Sequence, residues 1–160
     1  MKIRTRARYS LRMMVAIARL SADDAPVGLG DVARRCGVSR RYLEQLVGPL
    51  RNASLLRSVS GRGGGYRLAR SASEIKVAEI MAAAVGPVEV TECARDASHC
   101  LFSAYCNCGG LWALINARIN EILESYSLAD ILSEDFLASV AAEVLRPGPS
   151  GTQTQTGSRR

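Results

Sequence analysis

The sequence of 160 residues is poor in aromatic side chains and contains a single histidine and a single tryptophan. Aromatic residues make up 5% of the chain, which argues against a protein that binds single-stranded nucleic acid by stacking bases on aromatic rings. No apolar run reaches the roughly 18 to 20 residues that a membrane span needs. Arg12 and Arg19 interrupt the apolar stretch behind the basic N-terminus, so we predict no signal peptide and expect a cytoplasmic protein.

Charge is present in abundance but is divided unevenly along the chain. Residues 1–70 carry 15 basic and 4 acidic side chains, a net charge of +11, whereas residues 71–145 carry 3 and 11, a net charge of −8. Residues 146–160 add +3, which gives the total of +6. A basic half beside an acidic half predicts that the first half contacts a polyanion, the alternative being a chance imbalance of surface charge.

The basic half has the pattern of a helix-turn-helix. Apolar residues recur at three- and four-residue steps between Thr5 and Leu20, which predicts a first helix. A short helix is predicted from Asp31 to Cys36, followed by a turn at Gly37. Ser39 is then the N-cap of a second helix that runs to about Leu50, where Pro49 is expected to end or bend it.

A basic hairpin follows the helix-turn-helix. Strands are predicted at Leu55–Ser60 and Tyr66–Leu68, joined by a turn over Gly61–Gly65 that only glycines form easily. A hairpin in this position is typical of the wing of a DNA-binding domain. The alternative, a phosphate-binding loop, is disfavoured because no Gly-Lys-Ser/Thr follows and no helix begins there.

A winged helix-turn-helix presents the N-terminal end of its second helix to base edges in the major groove. Arg40, Arg41, Glu44 and Gln45 are therefore the predicted base readers, and Glu44 is suited to accept a hydrogen bond from a cytosine amino group. The arginines before this helix and in the wing are predicted to contact phosphates or the minor groove. The full predicted DNA-binding set is Arg4, Arg6, Arg8, Ser39, Arg40, Arg41, Tyr42, Glu44, Gln45, Arg57, Arg62, Gly63 and Arg67.

The acidic half is predicted to be helical on both sides of a loop. A helix over Ile75–Val85, capped by Ser73, stops at Gly86. Residues 87–109 are predicted as a loop. An apolar stripe predicts a helix from Gly110 to Tyr126, and a short acidic helix follows over Ser127–Ala141.

Four of the five cysteines lie in the predicted loop, at Cys93, Cys100, Cys106 and Cys108. This spacing differs from that of a zinc finger, which prefers two close pairs. Three thiolates from a flexible loop suit an iron–sulfur cluster with a fourth ligand of another kind. Zinc, a metal-free thiol switch and purely structural cysteines are the alternatives.

The fourth ligand has several candidates in or near the loop. Cys108 and His99 are the first two, and Asp96 and Glu92 are the others. The fifth cysteine, Cys36, is predicted to be a small buried residue between the two helices of the helix-turn-helix.

Several motifs together resemble the IscR/NsrR-type family of winged helix-turn-helix iron–sulfur transcription regulators. They are the opening segment Met1–Tyr9, the segment Arg41–Leu46, the wing Gly61–Tyr66, the three-cysteine loop and the Leu111-Trp112 pair after it. The resemblance covers about residues 1–135. It implies a homodimer that binds a palindromic DNA operator, with residues 110–126 as a long helix that crosses between subunits.

The resemblance also implies a [2Fe–2S] cluster, or a [4Fe–4S] cluster, on Cys93, Cys100 and Cys106. The sequence differs from the family's pattern at two positions that concern the fourth ligand. Gly109 stands where members that sense cluster supply carry a histidine, and Arg8 stands where nitric-oxide-sensing members carry an aspartate ligand. Cys108, next to this gap, is the first substitute.

We therefore expect a mainly α fold, with a winged helix-turn-helix, a β-hairpin wing and a long dimerisation helix. The expected segments are 1–86, the DNA-binding domain; 87–109, the cluster-binding loop; 110–145, the dimerisation and C-terminal helices; and 146–160, a disordered tail. The predicted function is a cytoplasmic, non-enzymatic repressor that senses iron–sulfur status, redox stress or nitric oxide. The alternatives are a metal-free regulator controlled by a thiol switch or a partner, and an iron–sulfur electron carrier.

Overall fold

The structure, a computed structural model, describes residues 3–21, 23–95, 98, 100 and 105–145. Within this part the chain is mainly helical, with one two-stranded antiparallel sheet, so the predicted mainly α winged-helix fold is confirmed. The predicted tail at 146–160 lies outside the described residues. The elements in chain order are α1 (Thr5–Leu20), α2 (Leu29–Cys36), α3 (Arg40–Asn52), β1 (Leu56–Val59), β2 (Gly65–Leu68), α4 (Val77–Val85), α5 (Glu92–Arg95), α6 (Cys108–Ser125), α7 (Leu128–Leu132) and α8 (Phe136–Val144).

The core lies between α1, α2, α3 and α4. Met13, Met14 and Ile17 of α1 are fully buried, and they belong to the same cluster as Leu43 and Leu50 of α3. Full burial of one such side chain contributes roughly 1.5–3 kcal/mol to folding. The apolar stripe of each helix therefore determines which face turns inward and leaves the basic side chains outside.

The turn between α2 and α3 matches the prediction. Gly37 has φ of 68°, a left-handed conformation that glycine adopts without strain, and its N–H donates to Ala33 O at 2.9 Å. Ser39 is the N-cap of α3, since its Oγ accepts a hydrogen bond from Tyr42 N–H at 3.2 Å. The helix α2 begins at Leu29, two residues before the predicted start at Asp31.

The end of α3 differs from the prediction. The helix continues past Pro49 to Asn52, although proline has no N–H to donate to the carbonyl four residues earlier. That carbonyl belongs to Gln45, and the Arg6 guanidinium on α1 donates to it at 3.4 Å. The missing backbone donor is thus replaced by a side chain from another helix.

The wing is a short hairpin attached to the body of the domain. β1 and β2 pair with Leu56 opposite Leu68 and Arg57 opposite Arg67. Tyr66 of β2 also exchanges two backbone hydrogen bonds of 2.9 Å with Val27, in the connection between α1 and α2. A Cβ at Gly65 would lie 2.3 Å from Val27 O, so this close approach requires glycine.

The start of α4 corrects the prediction of a Ser73 cap. The N-cap is Lys76, whose N–H donates to Glu79 Oε1 at 3.2 Å, and Ser73 instead pairs with Ser71 through their hydroxyls at 2.8 Å. Lys76 is held extended because it forms an isolated bridge with Ser127, so helical geometry begins only at Val77. The predicted end at Gly86 is confirmed, with φ of 84° at that glycine.

Three further boundaries in the acidic half differ from the predictions. The predicted loop 87–109 contains the short helix α5, and α6 already begins at Cys108. The predicted acidic helix Ser127–Ala141 is two helices, α7 and α8, because Ser133 is extended with ψ of 147° and interrupts the helical geometry.

The start of α7 returns to the core of the N-terminal, basic half. Leu128 is fully buried in that core, and its N–H donates to Ile75 O at 2.8 Å. Ala129 N–H likewise donates to Ala72 O at 3.1 Å. Part of the predicted C-terminal segment therefore completes the N-terminal core rather than forming a separate layer. In the part of the chain that the structure describes, no helix is long and apolar enough to cross a membrane.

Candidate DNA-binding surface and cysteine segment

The N-terminal end of α3 exposes the four predicted base readers together. Leu43, Leu46 and Val47 are buried on one side of the helix. The opposite side presents the exposed side chains of Arg40, Arg41, Glu44 and Gln45. Because these residues form two rows at a spacing of four, they make one polar surface at the end of the helix that a helix-turn-helix presents to DNA.

Two of these four side chains pair with each other. Arg40 Nε donates to Glu44 Oε1 at 3.1 Å, and both side chains are exposed. An exposed ion pair contributes about 0–1 kcal/mol, so base edges can compete for either partner. In the described part of the chain, Arg41 forms no such pair and remains available to an acceptor on a base.

Tyr42 is placed differently from the other predicted contacts on α3. It is half-buried, and its ring packs edge-to-face on Tyr9 of α1 with 5.7 Å between ring centroids. Its hydroxyl is buried and finds no hydrogen-bond partner among the described residues. This side chain contributes to the contact between α1 and α3, and a role at DNA stays a prediction.

The predicted N-terminal arginines are exposed at the start of α1 but have different neighbours. Arg4 lies at the N-cap of α1, and Arg8 lies over the ring of Tyr9, with its guanidinium carbon 5.6 Å from the centroid. Arg6 reaches Gln45 O on α3. The sequence contained no local signal for this last contact, which connects the N-terminal segment to the recognition helix.

The wing brings two of its three predicted arginines together. Arg57 and Arg67 are opposite each other on β1 and β2, and both form ion pairs with Asp24. Arg62 and Gly63 are exposed in the turn. In the described part of the chain Arg62 has no ion-pair partner. Asp24 is a residue that the sequence analysis missed, because its partners lie more than thirty positions away in the chain.

The cysteine segment, residues 87–109, is connected to α6 by two asparagine side chains. Asn116 Oδ1 accepts from Val90 N–H at 3.1 Å, and Asn120 Nδ2 donates to Val88 O at 3.2 Å. The helix α5 packs against α6 and carries Cys93, whose Sγ lies 3.3 Å from Thr91 Oγ1. The first cysteine is thereby held against the long helix.

The four clustered cysteines differ in exposure. Cys93 and Cys100 are partly buried, Cys106 and Cys108 are exposed, and all four are free thiols. Within residues 3–21, 23–95, 98, 100 and 105–145, no three His, Cys, Asp or Glu side chains are grouped as a metal site. His99 and Asp96 lie outside the described residues. The donor set nevertheless fits an iron–sulfur cluster chemically, because thiolates from one short segment are the ligands such clusters prefer.

The predicted burial of Cys36 is confirmed, but the hydrogen bond of its thiol goes to α1 rather than to the other helix of the helix-turn-helix. It is buried, and its thiol lies 3.8 Å from Arg12 O on α1. Burial raises the pKa of the Cys36 thiol, against the lowering effect of the nearby Arg12 and Arg35 charges. A buried thiol with a raised pKa is less reactive, so Cys36 is not a candidate ligand or redox thiol.

A groove of about 480 Å³ lies between the cysteine segment and the N-terminal, basic half. One wall is formed by residues 87–92, which lead into Cys93, and the other by the start of α1, at Ile3, Arg4 and Ala7. Met81 and Val85 of α4 also line it. No local sequence pattern predicts this groove, because its walls come from chain segments about eighty residues apart.

Comparison with protein families gives a match over most of the chain. The Rrf2 family model, described as an iron-dependent transcriptional regulator, matches residues 3–134. The chain belongs to the Rrf2 family. Membership supports DNA binding and transcriptional regulation, and the similar proteins are regulators rather than enzymes, as the sequence predicted.

Individual Rrf2 proteins are similar over nearly the whole chain. The HTH-type transcriptional regulator IscR of Photorhabdus laumondii is 35% identical over 159 residues, which cover 98% of this chain and 96% of that protein. Among solved structures, IscR of T. potens superposes with a TM-score of 0.66 at 30% identity and covers 93% and 94% of the two chains. CymR, the global cysteine regulator of B. subtilis, superposes with a TM-score of 0.67 at 34% identity and covers 82% and 96%.

Proposed function

We propose that this Rrf2 protein is a homodimeric repressor that binds a palindromic operator and is controlled through its cysteine segment. The proposed control of DNA binding rests on the position of the cysteine segment. Residues 87–92 face the start of α1 across the groove, and Val88 and Val90 are hydrogen-bonded to α6. A change in the segment therefore reaches both the DNA-binding half and the long helix.

The DNA-binding part of the proposal uses two surfaces. The exposed end of α3 is inserted into the major groove, where Arg41 and Gln45 read base edges and Arg40 and Glu44 exchange their mutual ion pair for contacts with bases. The wing, with Arg62 at its tip, contacts the backbone or the minor groove.

The proposal of a homodimer rests on the exposed apolar face of α6. None of the residues of α6 is buried, and Leu111, Leu114 and Ile122 are 54%, 55% and 58% exposed. Large apolar side chains at this spacing on one helix are typical of an interface. The occupant we propose is α6 of a second copy, because a palindromic operator requires two recognition helices related by a two-fold axis.

The sensing part assigns an iron–sulfur cluster to Cys93, Cys100 and Cys106, with Cys108 as the candidate fourth ligand. A bound cluster would supply a centre that oxidants, nitric oxide or iron limitation can alter. Ligation of the three thiols would hold the segment that carries them in one arrangement, and free thiols would release that constraint. Since this segment faces α1 across the groove and is hydrogen-bonded to α6, the spacing of the two α3 helices in the dimer would depend on the state of the thiols.

An absorption spectrum of anaerobically purified protein, with iron and sulfide analysis of the same sample, tests the cluster. We expect a visible chromophore that the double substitution Cys93→Ala and Cys106→Ala removes and that the matched control Cys36→Ala retains. Operator fragments are selected from genomic DNA with the purified protein, and their affinity is measured for both forms. Equal affinity with and without the cluster would overturn the proposed control, and absence of iron and sulfide would overturn the cluster.

A metal-free thiol switch is the second candidate. The similarity to CymR and the exposure of Cys106 and Cys108, one residue apart, favour it. In that case the purified protein is colourless, and treatment with hydrogen peroxide changes operator affinity until dithiothreitol restores it. A colourless protein that responds to neither reagent points instead to control by a partner protein.

A further inference from the structure

Asp24 occupies an unusual position beside the wing. Its Oδ2 lies 2.5 Å from Arg67 Nη1 and 3.7 Å from Arg57 Nη2, so one carboxylate contacts two guanidinium groups that the DNA proposal assigns to phosphates. We propose that Asp24 competes with DNA phosphates for Arg57 and Arg67 and so sets the affinity of the wing for the DNA backbone. This inference rests on the proposed contact between the wing and DNA.

The sheet geometry explains why a counterion is needed at this place. Arg57 and Arg67 are directly opposite each other in the antiparallel register, which puts both side chains on the same face of the hairpin. Like charges directly opposite each other destabilise a two-stranded sheet. In the protein without DNA, Asp24 offsets that repulsion, and in the complex a phosphate group can do the same.

The position of Asp24 is determined by backbone contacts rather than by the ion pairs alone. Val27, three residues after Asp24, exchanges two backbone hydrogen bonds with Tyr66 in β2, and the missing side chain of Gly65 allows that approach. Asp24 itself has φ of 60°, a left-handed conformation that aspartate and asparagine tolerate better than most residues. In the protein without DNA, the backbone therefore places the carboxylate beside the arginines.

The exposure of the three groups allows a phosphate to displace Asp24. The side chains of Asp24 and Arg57 are 59% and 52% exposed, and that of Arg67 is 29% exposed. Exposed ion pairs in water are weak, while a guanidinium group binds phosphate with two parallel hydrogen bonds. By contrast, Arg62 in the turn has no ion-pair partner in the described part of the chain, so its contact with DNA meets no such competition.

The substitution Asp24→Asn removes the charge and keeps a residue that fits the left-handed backbone. The neighbouring Asp23→Asn is the matched control, because Asp23 is exposed, has φ of 48° and forms no ion pair in the described part of the chain. The probe is a fluorescent mixed-sequence DNA duplex of about three helical turns, roughly 30 base pairs, titrated over about 50 to 200 mM KCl. Thermal unfolding of each variant verifies that the fold is retained.

We expect Asp24→Asn to bind the duplex about two- to fivefold more tightly than the unsubstituted protein, the range of one exposed ion pair. The slope of log K against log salt should become steeper by about one, since one more phosphate is effectively neutralised. Asp23→Asn should leave both quantities unchanged. In a background with Arg57→Ala and Arg67→Ala, the effect of Asp24→Asn should disappear.

Three results would overturn the inference. Equal effects of Asp24→Asn and Asp23→Asn would show a general charge effect, and weaker binding by Asp24→Asn would show that Asp24 orients the arginines for DNA instead. If Asp24→Asn still tightened binding in the background with Arg57→Ala and Arg67→Ala, Asp24 would not act through these two arginines. If the unsubstituted protein does not bind the duplex at all, the proposed DNA contact of the wing fails, and that outcome is distinct from the first three.

Discussion

The helices α1 and α6 have similar lengths but opposite surroundings. Of the 16 residues of α1, Met13, Met14, Ile17 and three smaller residues are buried inside the described chain. Of the 18 residues of α6, none is buried, although the helix contains Leu111, Leu114, Ile115, Ile119 and Ile122. The two helices show that an apolar stripe alone does not reveal whether its partner lies in the same chain.

The basic and acidic halves of the chain differ in a similar way. The basic half buries most of its large apolar residues in a core that Ile75, Ile80 and Leu128 complete, and it exposes its charges, as expected of a domain that contacts DNA. The acidic half leaves apolar surface exposed on α6 and α8, where Leu137 and Val144 are also exposed. That half is suited to contacts with a further surface, which in the proposed dimer is the same face of a second copy.

The largest predicted effect comes from the face of α6. Combining Leu114→Glu with Ile122→Glu places charges in the proposed interface, so the protein should become monomeric in sedimentation analysis. Operator affinity, measured by fluorescence anisotropy, should fall about 10²- to 10⁴-fold, because binding at one half-site no longer assists binding at the other. Leu137→Glu on α8 is the control and should remain dimeric. A dimer that survives the double substitution would place the interface elsewhere.

The second prediction contrasts two leucines in chemical denaturation at a fixed protein concentration. Leu46→Ala removes a fully buried side chain of α3 and should lower the free energy of unfolding by about 2–5 kcal/mol. Leu137→Ala on α8 removes an exposed side chain and should change that free energy by no more than about 0.5 kcal/mol. A large loss of unfolding free energy for Leu137→Ala would mean that another surface covers α8 in solution.

The third prediction concerns base reading. Arg41→Ala removes an exposed guanidinium at the start of α3 and should weaken operator binding by about 1–3 kcal/mol, with a smaller effect on mixed-sequence DNA. Arg19→Ala removes an exposed arginine in the last turn of α1, outside the predicted DNA-binding set, and should leave operator affinity unchanged. If Arg41→Ala weakened binding to the operator and to mixed-sequence DNA equally, Arg41 would contact a phosphate rather than a base.

The fourth prediction compares the N-caps of the two halves. Ser39 Oγ accepts from Tyr42 N–H, and Ser127 Oγ accepts from Asp130 N–H, each at 3.2 Å. Alanine at either position should cost about 0.5–2 kcal/mol of unfolding free energy. Only Ser39→Ala should also weaken operator binding, since it loosens the end of α3 that we propose to read bases. Equal DNA affinity for the two variants would contradict that assignment.

The smallest predicted effect is a pH dependence confined to the acidic half. Hydrogen bonds from the Ser127 hydroxyl and N–H lower the pKa of Asp130 below its ordinary value. This contribution to stability is therefore present above the ordinary aspartate pKa and is lost as pH falls through the lowered one. Ser127→Ala should flatten the acid limb of a stability–pH curve, whereas Ser39→Ala, without a carboxylate partner, should shift the curve uniformly.

Short-range features of the fold could be predicted from the sequence. Ser39 as a cap, the left-handed Gly37, the end of α4 at Gly86 and the glycine-rich wing all depend on residues within about one turn of each other. The exposed cluster at the start of α3 was predictable for the same reason. The apolar spacing of α1 and α3 identifies which side of each helix is buried.

The other features of the fold depend on contacts between segments that are distant in the chain. Pro49 stays inside α3 because Arg6 donates to the Gln45 carbonyl, and α4 starts at Val77 because Lys76 bridges to Ser127. Asp24 meets Arg57 and Arg67 because the hairpin pairs with the connection at Val27. Caps, periodicity and glycine conformations are properties of neighbouring residues, so the sequence by itself determined the winged helix-turn-helix and its polar reading surface. Which carbonyl, charge or apolar face meets which partner depends on packing across the chain, and only the tertiary structure decided it.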